Sequence, residues 1–438
     1  MFRKQWILAV ACAAALALTA ASAQAGTFGT VVPIGGEASD IALDPTRGLL
    51  YIADFTANRI DVMTLSNNTI QTSINVPNQP SSISVSPDAH WLLVANYGNN
   101  TTGSQTNGLT LIDLTNANAA QTFTLSNSPL SVAFGFDNKA LVVTTQEFII
   151  FDPTVGTTTL LSTIPQVATT AIPQPPTTFP SIFTQATAAV SGDGLTIAGM
   201  GGTGSAVLEY RFKVGTHALT AVSYTASPPP GPSVVSLSND GSLSTFFWSV
   251  QNASFQTTAQ FSNVAGTFNV GSTLIDSSRG LIYAQIPTNG TSATGNYAAN
   301  APILNVVDSD NLTLEDQIQL PENLAGKSLL SADNNTMYSI SDSGVTVLPV
   351  GNLASYPRLS ANKEDLLFLG NFCTRTALTQ TFTISDPGGN STPFTVSTTT
   401  AGITISPSSG VTPANVTVSV DPNAFAASKG TVVASLTI

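Results

Sequence analysis

Cysteine, histidine and charge are all scarce in this chain. Its 438 residues hold two cysteines and two histidines, and Asp, Glu, Lys and Arg together make up 9% of it. Cys12 lies inside an N-terminal apolar run, so after removal of that run Cys373 stands alone and no intrachain disulfide can form. About 410 remaining residues bury enough apolar surface without one, and Cys373 reads as a small buried residue near a domain junction. His90 and His217 both fall in turn sequences, which leaves little for a histidine base or a His-rich metal site. The net charge of −12 comes without a basic stripe, a poor match for a phosphate backbone, so nucleic acid is not an expected partner. Beyond the N-terminal run no stretch is long enough to span a bilayer.

The N-terminal run has the pattern of a secretory leader. Arg3 and Lys4 precede apolar residues from Trp6 to Ala21, and Ala23-Gln24-Ala25 forms a small-residue cleavage site before Gly26. Residues 1–25 are therefore expected to be a signal peptide, with the mature chain starting near Gln24 or Gly26. Loss of Arg3 and Lys4 takes the charge from −12 to −14. Cys12 sits mid-run, where a lipid-attached cysteine would not lie. The expected location is extracellular or at the cell surface, with the periplasm also open.

What the sequence has in abundance is repetition. Ile41-Ala-Leu-Asp-Pro45 followed by Leu49-Leu-Tyr-Ile-Ala-Asp-Phe55 returns as Ile83-Ser-Val-Ser-Pro87 followed by Trp91-Leu-Leu-Val-Ala-Asn-Tyr97, shifted by 42 residues. A period of about 40–50 residues with several short strands per unit is the signature of a β-propeller. Units one to three run through four strand-like segments each to Ile164, units four and five are fainter, and unit six restores the opening as Asp276-Ser-Ser-Arg-Gly-Leu-Ile-Tyr283. Unit seven supplies three strands, Ser328 to Ala332, Thr336 to Ile340 and Gly344 to Val350, while Thr27 to Ile34 precedes unit one without a blade of its own. Pairing the two ends completes a seven-bladed, Velcro-closed propeller over residues 26–350, with six or eight blades as the alternatives because units five and seven are faint.

After a linker over 351–370 the texture changes. Gln380–Ile384, Phe394–Ser397, Gly402–Ser406, Val416–Val420 and Thr431–Ile438 are strand-like runs separated by turn residues such as Pro407-Ser-Ser-Gly410. Residues 371–438 are expected to form a partial immunoglobulin-like β-sandwich, shorter than the usual ~100 residues.

The paired phrases Leu49–Asp54 and Trp91–Asn96, each followed by a strand of the Ile60-Asp-Val62 or Leu111-Ile-Asp113 kind, resemble the YVTN-type repeats of bacterial secreted and surface propellers, over most of Gly26 to Val350. Ile403 to Pro413 followed by Val416-Thr-Val418 resembles the BACON-like and immunoglobulin-like modules that accompany them. The resemblance implies export and surface or matrix association. Its motif residues are structural, so it assigns no catalytic position and no cofactor.

Topology locates the candidate site. If each blade runs A to D outward from the axis, B–C loops and D-to-A connections open on one face and A–B and C–D turns on the other. The long segments, Gly98–Gly108, Pro165–Pro180, Ser227–Pro232 and Pro287–Pro302, then share the first face, while A–B turns such as Pro87–His90 are minimal. Long loops on a rigid scaffold carry binding, and Tyr97, Asn99, Asn100, Phe179 and Tyr297 are the candidate contacts for a protein or glycan.

Catalytic candidates are few. Asp44, Asp88, Asp193, Asp240, Asp276 and Asp333 recur at the A–B turn and read as turn residues. Asp308-Ser-Asp310-Asn311 lacks the central Gly and distal Glu of a calcium loop, and Gly199–Gly204 lies between strands, where it makes no phosphate cradle. No metal site is expected. The favoured reading is non-catalytic binding or adhesion. The alternative is a lactonase- or lyase-like propeller enzyme acting on a sugar or lactone through carboxylates at the axial channel. Three or more acids converging at the axial mouth would favour the enzyme, an Asn- or Thr-lined mouth the binding protein.

Overall fold

A computed structural model describes residues 27–98, 107–171, 181–226, 228, 233–247, 249–261, 271–285, 302–363, 365–370, 375–428 and 430–438. They divide into two units, Thr27–Ala354 and a second beginning at Ser355.

The described residues of the first unit form seven four-stranded antiparallel sheets. Their first strands are Ala38–Asp44, Pro80–Val85, Pro129–Phe134, Gln185–Val190, Val235–Leu237, Ser272–Asp276 and Leu324–Leu330. Each packs against the next and the last packs against the first, so they ring an axis as the A strands of a β-propeller. In blade seven the outermost strand is Thr30–Pro33, paired antiparallel with Gly344–Leu348 and placing Val32 opposite Val345. The ends of the first unit therefore close the ring as the sequence predicts.

Burial falls off outward, which explains the residue types. The B strand of blade two, Trp91–Asn96, is covered on both faces, with Leu92, Leu93, Val94 and Ala95 inaccessible to solvent. The D strand of blade one, Thr69–Asn75, carries Thr, Gln and Ser on an exposed edge. Leu93, Leu109 and Leu111 of blade two pack on Val132, Phe134, Val142 and Phe151 of blade three. Each such side chain contributes about 1.5–3 kcal/mol by leaving water.

The A–B turns use two related devices. In blades two, four, five and seven the A strand ends in a serine whose hydroxyl donates to an aspartate two residues on: Ser86–Asp88 at 2.6 Å, Ser191–Asp193 at 2.6 Å, Ser238–Asp240 at 2.9 Å and Ser331–Asp333 at 2.5 Å. The same serine oxygens accept the amide at the start of strand B or just before it, at 2.9–3.0 Å. Bonds from the hydroxyl and amide of Ser242 and from the Ser238 hydroxyl hold Asp240 down at about 2. In blades one and six the aspartate itself ends the strand and meets an arginine three residues on: Asp44–Arg47 at 2.8 Å and Asp276–Arg279 at 2.7 Å. Arg47 continues to Ala89 O and Leu114 O of blade two, which puts A–B and C–D turns on one face.

Three sequence expectations need correction. Leu243–Val250 reads as one strand, but Phe247 has φ +51° and closes a hairpin between Ser244–Phe246 and Ser249–Gln251, so Thr257–Gln260 is the outer strand of blade five. Positive φ at a bulky aromatic carries no turn signature in sequence. Ile164, expected to end a strand, and residues 165–168 of the expected loop Pro165–Pro180 form a helix, Ile164–Ala168, with Ile164, Val167 and Ala168 buried and Thr163 N bonded to Gln166 Oε1 at 3.0 Å. Among the described residues Thr431–Ile438 makes only the bridge Thr437 to Ser397, whereas Ser409 and Gly410, part of the expected turn Pro407–Gly410, form with Val411 a strand that pairs with Pro393–Thr395.

The second unit holds a sheet in the order Ser360–Ala361, Leu378–Ser385, Ala414–Val420, Ile403–Ser406, together with the Pro393–Thr395 and Ser409–Val411 pair. Phe382, Ile384, Phe394, Val396, Val416 and Val418 form its core.

Candidate binding site at the axial mouth

Alignment of the A strands places one residue of each blade in a layer close to their N-terminal ends: Asp40, Ser82, Ser131, Thr187, Val234, Ser272 and Lys327. These ends belong to the face where B–C loops and D-to-A connections open. A cavity of about 160 Å³ lies there, bordered by Ser39, Asp40, Ser81, Ser82, Ser131, Gln185, Thr187 and Lys327 among others.

The layer solves a problem of the architecture. An A strand pairs with strand B on one edge only, and its other edge would leave amides without partners at the axis. Side chains of the preceding blade supply acceptors: Ile83 N donates to Asp40 Oδ2 at 2.9 Å, Val132 N to Ser82 Oγ at 3.1 Å, Phe134 N to Ser84 Oγ at 3.1 Å and Ile275 N to Ser236 Oγ at 3.0 Å. Short polar side chains recur on these strands because they reach the neighbour's backbone.

The seam between blades seven and one departs from this rule. Lys327 holds the equivalent position in blade seven and has donors only, so it cannot accept Ile41 N. Asp40 Oδ1 takes that amide at 2.8 Å and pairs with Lys327 Nζ at 3.0 Å. Its Oδ2 accepts the Ser82 hydroxyl at 2.6 Å as well as Ile83 N. One carboxylate thus joins blades seven, one and two, with each oxygen receiving two donors.

None of the other buried carboxyls among the described residues borders the cavity: Asp54 and Asp61 pair with Arg59 in blade one, and Asp386 lies in the second unit. Asp44 and Asp276 serve A–B turns on the opposite face. Glu209, in strand Ala206–Lys213 of blade four, is raised above the usual carboxylate range by burial, against a bond from Gln251 Nε2 at 2.9 Å and one from Ser223. Gln251 Oε1 beside it has no partner, and a protonated Glu209 would supply the missing donor. Because its folded pKa is raised, the chain loses stability as pH climbs from about 4.3, the unfolded value, through the folded one. Glu209→Gln is expected to raise stability at pH 7 by about 1–2 kcal/mol and to make no difference near pH 4, as read by urea denaturation at both pH values. A variant less stable than wild type at pH 7 would contradict this account. Among the described residues, no three His, Cys, Asp or Glu side chains converge closely enough to hold a metal ion.

Of the sequence-derived contacts, Tyr97 is partly buried and packs against the core shared by blades three and four. Asn99, Asn100, Phe179, Tyr297 and Cys373 lie outside the described residues. Phe183 is buried with its ring centre 6.1 Å from that of Phe148, and Trp91 stacks on His90 at 4.0 Å. The axial residues escaped the sequence reading. The signal was present in the aligned column, where Asp40 and Lys327 are the two charged members and stand in the first and last repeats.

No protein-family model matches the chain. It is 31% identical over 121 residues to Antigen Lp49 of Leptospira interrogans, a match covering 26% of each protein, so this chain spans about a quarter of that antigen's length. Among solved structures, the β-propeller domain of Cps50 (Swd1) from Myceliophteria thermophila superposes with a TM-score of 0.53 at 11% identity, over 74% of this chain and all of that one. Hydrazine synthase of Kuenenia stuttgartiensis gives 0.49 at 13% identity over 73% of this chain and 98% of that one. Identity this low carries the fold alone, and the fold shared with the Cps50 domain is the β-propeller.

Proposed function

We propose that this chain is an exported, non-catalytic binding protein that meets a protein or glycan partner at the outer surface with the face where its B–C loops and D-to-A connections open. In this reading residues 1–25 are a signal peptide, 26–350 a YVTN-type propeller and 371–438 a BACON-like, immunoglobulin-like module. The observation that carries it is the axial mouth: among the described residues bordering it the single carboxylate, Asp40, is saturated by two amides, a hydroxyl and Lys327, and the rest of the described wall is mainly hydroxyl and amide. A lactonase- or lyase-like mechanism calls for several free acids there. The partial likeness to an antigen also supports an exported protein with a surface role.

The test is a screen of the full secreted chain against glycan and protein arrays and intact bacterial surfaces, beside variants in which residues 99–106 and 172–180 are each replaced by two-residue turns. Binding that weakens at least about tenfold when the loops are shortened is expected, the loss of one or two good contacts. Turnover of a lactone or glycoside that disappears in Asp40→Asn would overturn the reading in favour of the enzyme.

A further inference from the structure

We propose that the axial cavity is a binding site for one neutral, hydroxyl-rich ring the size of a single sugar unit. The inference rests on the reading of this face as a binding face and adds the ligand class and the residues that would hold it.

The first support is unused hydrogen-bonding capacity. Ser82 and Ser272 at the layer position are engaged with neighbouring blades. Ser131 and Thr187 occupy the same position in blades three and four and border the cavity with Gln185, yet among the described residues none of these three side chains has a protein partner. Ser131 is buried, Thr187 half-buried and Gln185 exposed, so the cavity is bordered by polar groups that the fold does not use for its own closure and that a ligand can reach.

Charge and size narrow the ligand further. Asp40 is saturated and Lys327 keeps two N–H donors, so the cavity is neutral in sum while its accessible groups are an ammonium, hydroxyls and an amide. An anion drawn to Lys327 would meet Asp40 within 3.0 Å of it, in a chain of net charge −12; a cation would meet Lys327. A polyol gives and accepts hydrogen bonds without adding charge. An enclosed apolar cavity of about 150 Å³ takes up benzene; this one measures about 160 Å³ and opens to solvent, so one ring can seat in it with part of its hydroxyls outside. None of the described residues bordering it is aromatic, so stacking is missing and hydrogen bonds alone hold the ring, which sets an expected Kd of about 1 mM.

Ligand-observed saturation-transfer NMR and calorimetric titration of the full chain with glucose, galactose, mannose, N-acetylglucosamine and inositol, with acetate and tetramethylammonium as charged controls, test the proposal. At least one neutral ring should bind at one site, and Ser131→Ala with Thr187→Ala should weaken it about tenfold or more, as expected for two lost hydrogen bonds. Gln185→Ala, at an exposed position, should weaken it in the same direction and guards against a folding defect in the double variant. Absence of saturable binding, equal binding by the variants, or preference for acetate overturns the proposal, the first being the result for a cavity that holds only water. Variants that lose the small ring but keep the macromolecular partner support the pocket and the face alike. A macromolecular partner retained by a wild-type chain that binds no ring overturns the pocket and leaves the face standing.

Discussion

Removal of residues 27–34 is expected to lower the melting temperature of the propeller by about 10 °C or more, the largest effect of any short deletion described here. The segment supplies the outer strand of blade seven in a four-residue ladder, from Thr30 opposite Val347 to Pro33 opposite Gly344. It also buries Phe28 completely and Val32 nearly so, each worth about 1.5–3 kcal/mol. Phe28 N reaches Gln319 O of blade six at 2.8 Å, so the segment ties two blades. Without it, the fully buried strand Gly344–Leu348 takes the place of an outer strand as the open edge of blade seven. Differential scanning calorimetry reads the loss, and a peptide of residues 27–34 added in excess should recover part of it by pairing in trans. Gly344→Val makes the same point with one residue: φ is +155°, and a Cβ there would lie 2.4 Å from Val32 O. A deletion that melts within about 2 °C of wild type, a shift that about 1 kcal/mol makes in a large domain, would contradict the closure.

Asp276→Ala should cost about 1.5–3 kcal/mol, the worth of charge-assisted hydrogen bonds around a buried carboxylate, because the Arg279 left behind is partly exposed and can be solvated. Its side chain is inaccessible and gathers Arg279 at 2.7 Å, the hydroxyl and amide of Ser278 at 2.6 and 3.0 Å, and Tyr283 Oη at 3.2 Å. Arg279 passes the effect on through Asn334 O and, at 2.8 Å, Asn335 Oδ1 of blade seven. Burial pushes the Asp276 carboxyl up, but the bonds from Ser278 and Arg279 outweigh it and the group titrates below the usual carboxylate range. A depressed folded pKa means stability that is present above about pH 3.9, the unfolded value, and lost as pH falls through the folded one. Urea denaturation from pH 7 to pH 2.5 should therefore show a steeper acid loss in wild type than in Asp276→Asn. A double-mutant cycle with Arg279→Ala isolates the pair. Parallel acid curves for wild type and Asp276→Asn would contradict the assignment.

How much of this could be read from sequence depends on how local the cause is. The A strands, their turns and the Velcro partner were legible because each repeats at fixed spacing or is missing from a counted set. Ser-x-Asp turns announce themselves within three residues. The hairpin at Phe247 did not, since tertiary packing imposes a positive φ that the residue type disfavours. Thr431–Ile438 has strand composition, but a strand needs a partner along its length and only Thr437 has one. The axial site was hidden for another reason. Asp40 and Lys327 meet because the ring brings its first and last repeats together, and each is unremarked within its own repeat. Ser131 and Thr187 differ from Ser82 in what they bond, not in what they are.

The acceptors of the axial layer also give the ring a direction. Ser82 and Ser84 of blade two serve amides of blade three, Ser236 of blade five serves blade six, and Asp40 of blade one serves blade two. Circular permutation preserves every such neighbour and should leave the ring intact. Exchanging two blades does not: Lys327 placed ahead of any blade whose strand lacks its own Asp40 would face an amide with another donor. Blade order is thus written into the inner strands, and engineered chains that shorten, lengthen or shuffle this propeller must move each A strand together with the blade that precedes it.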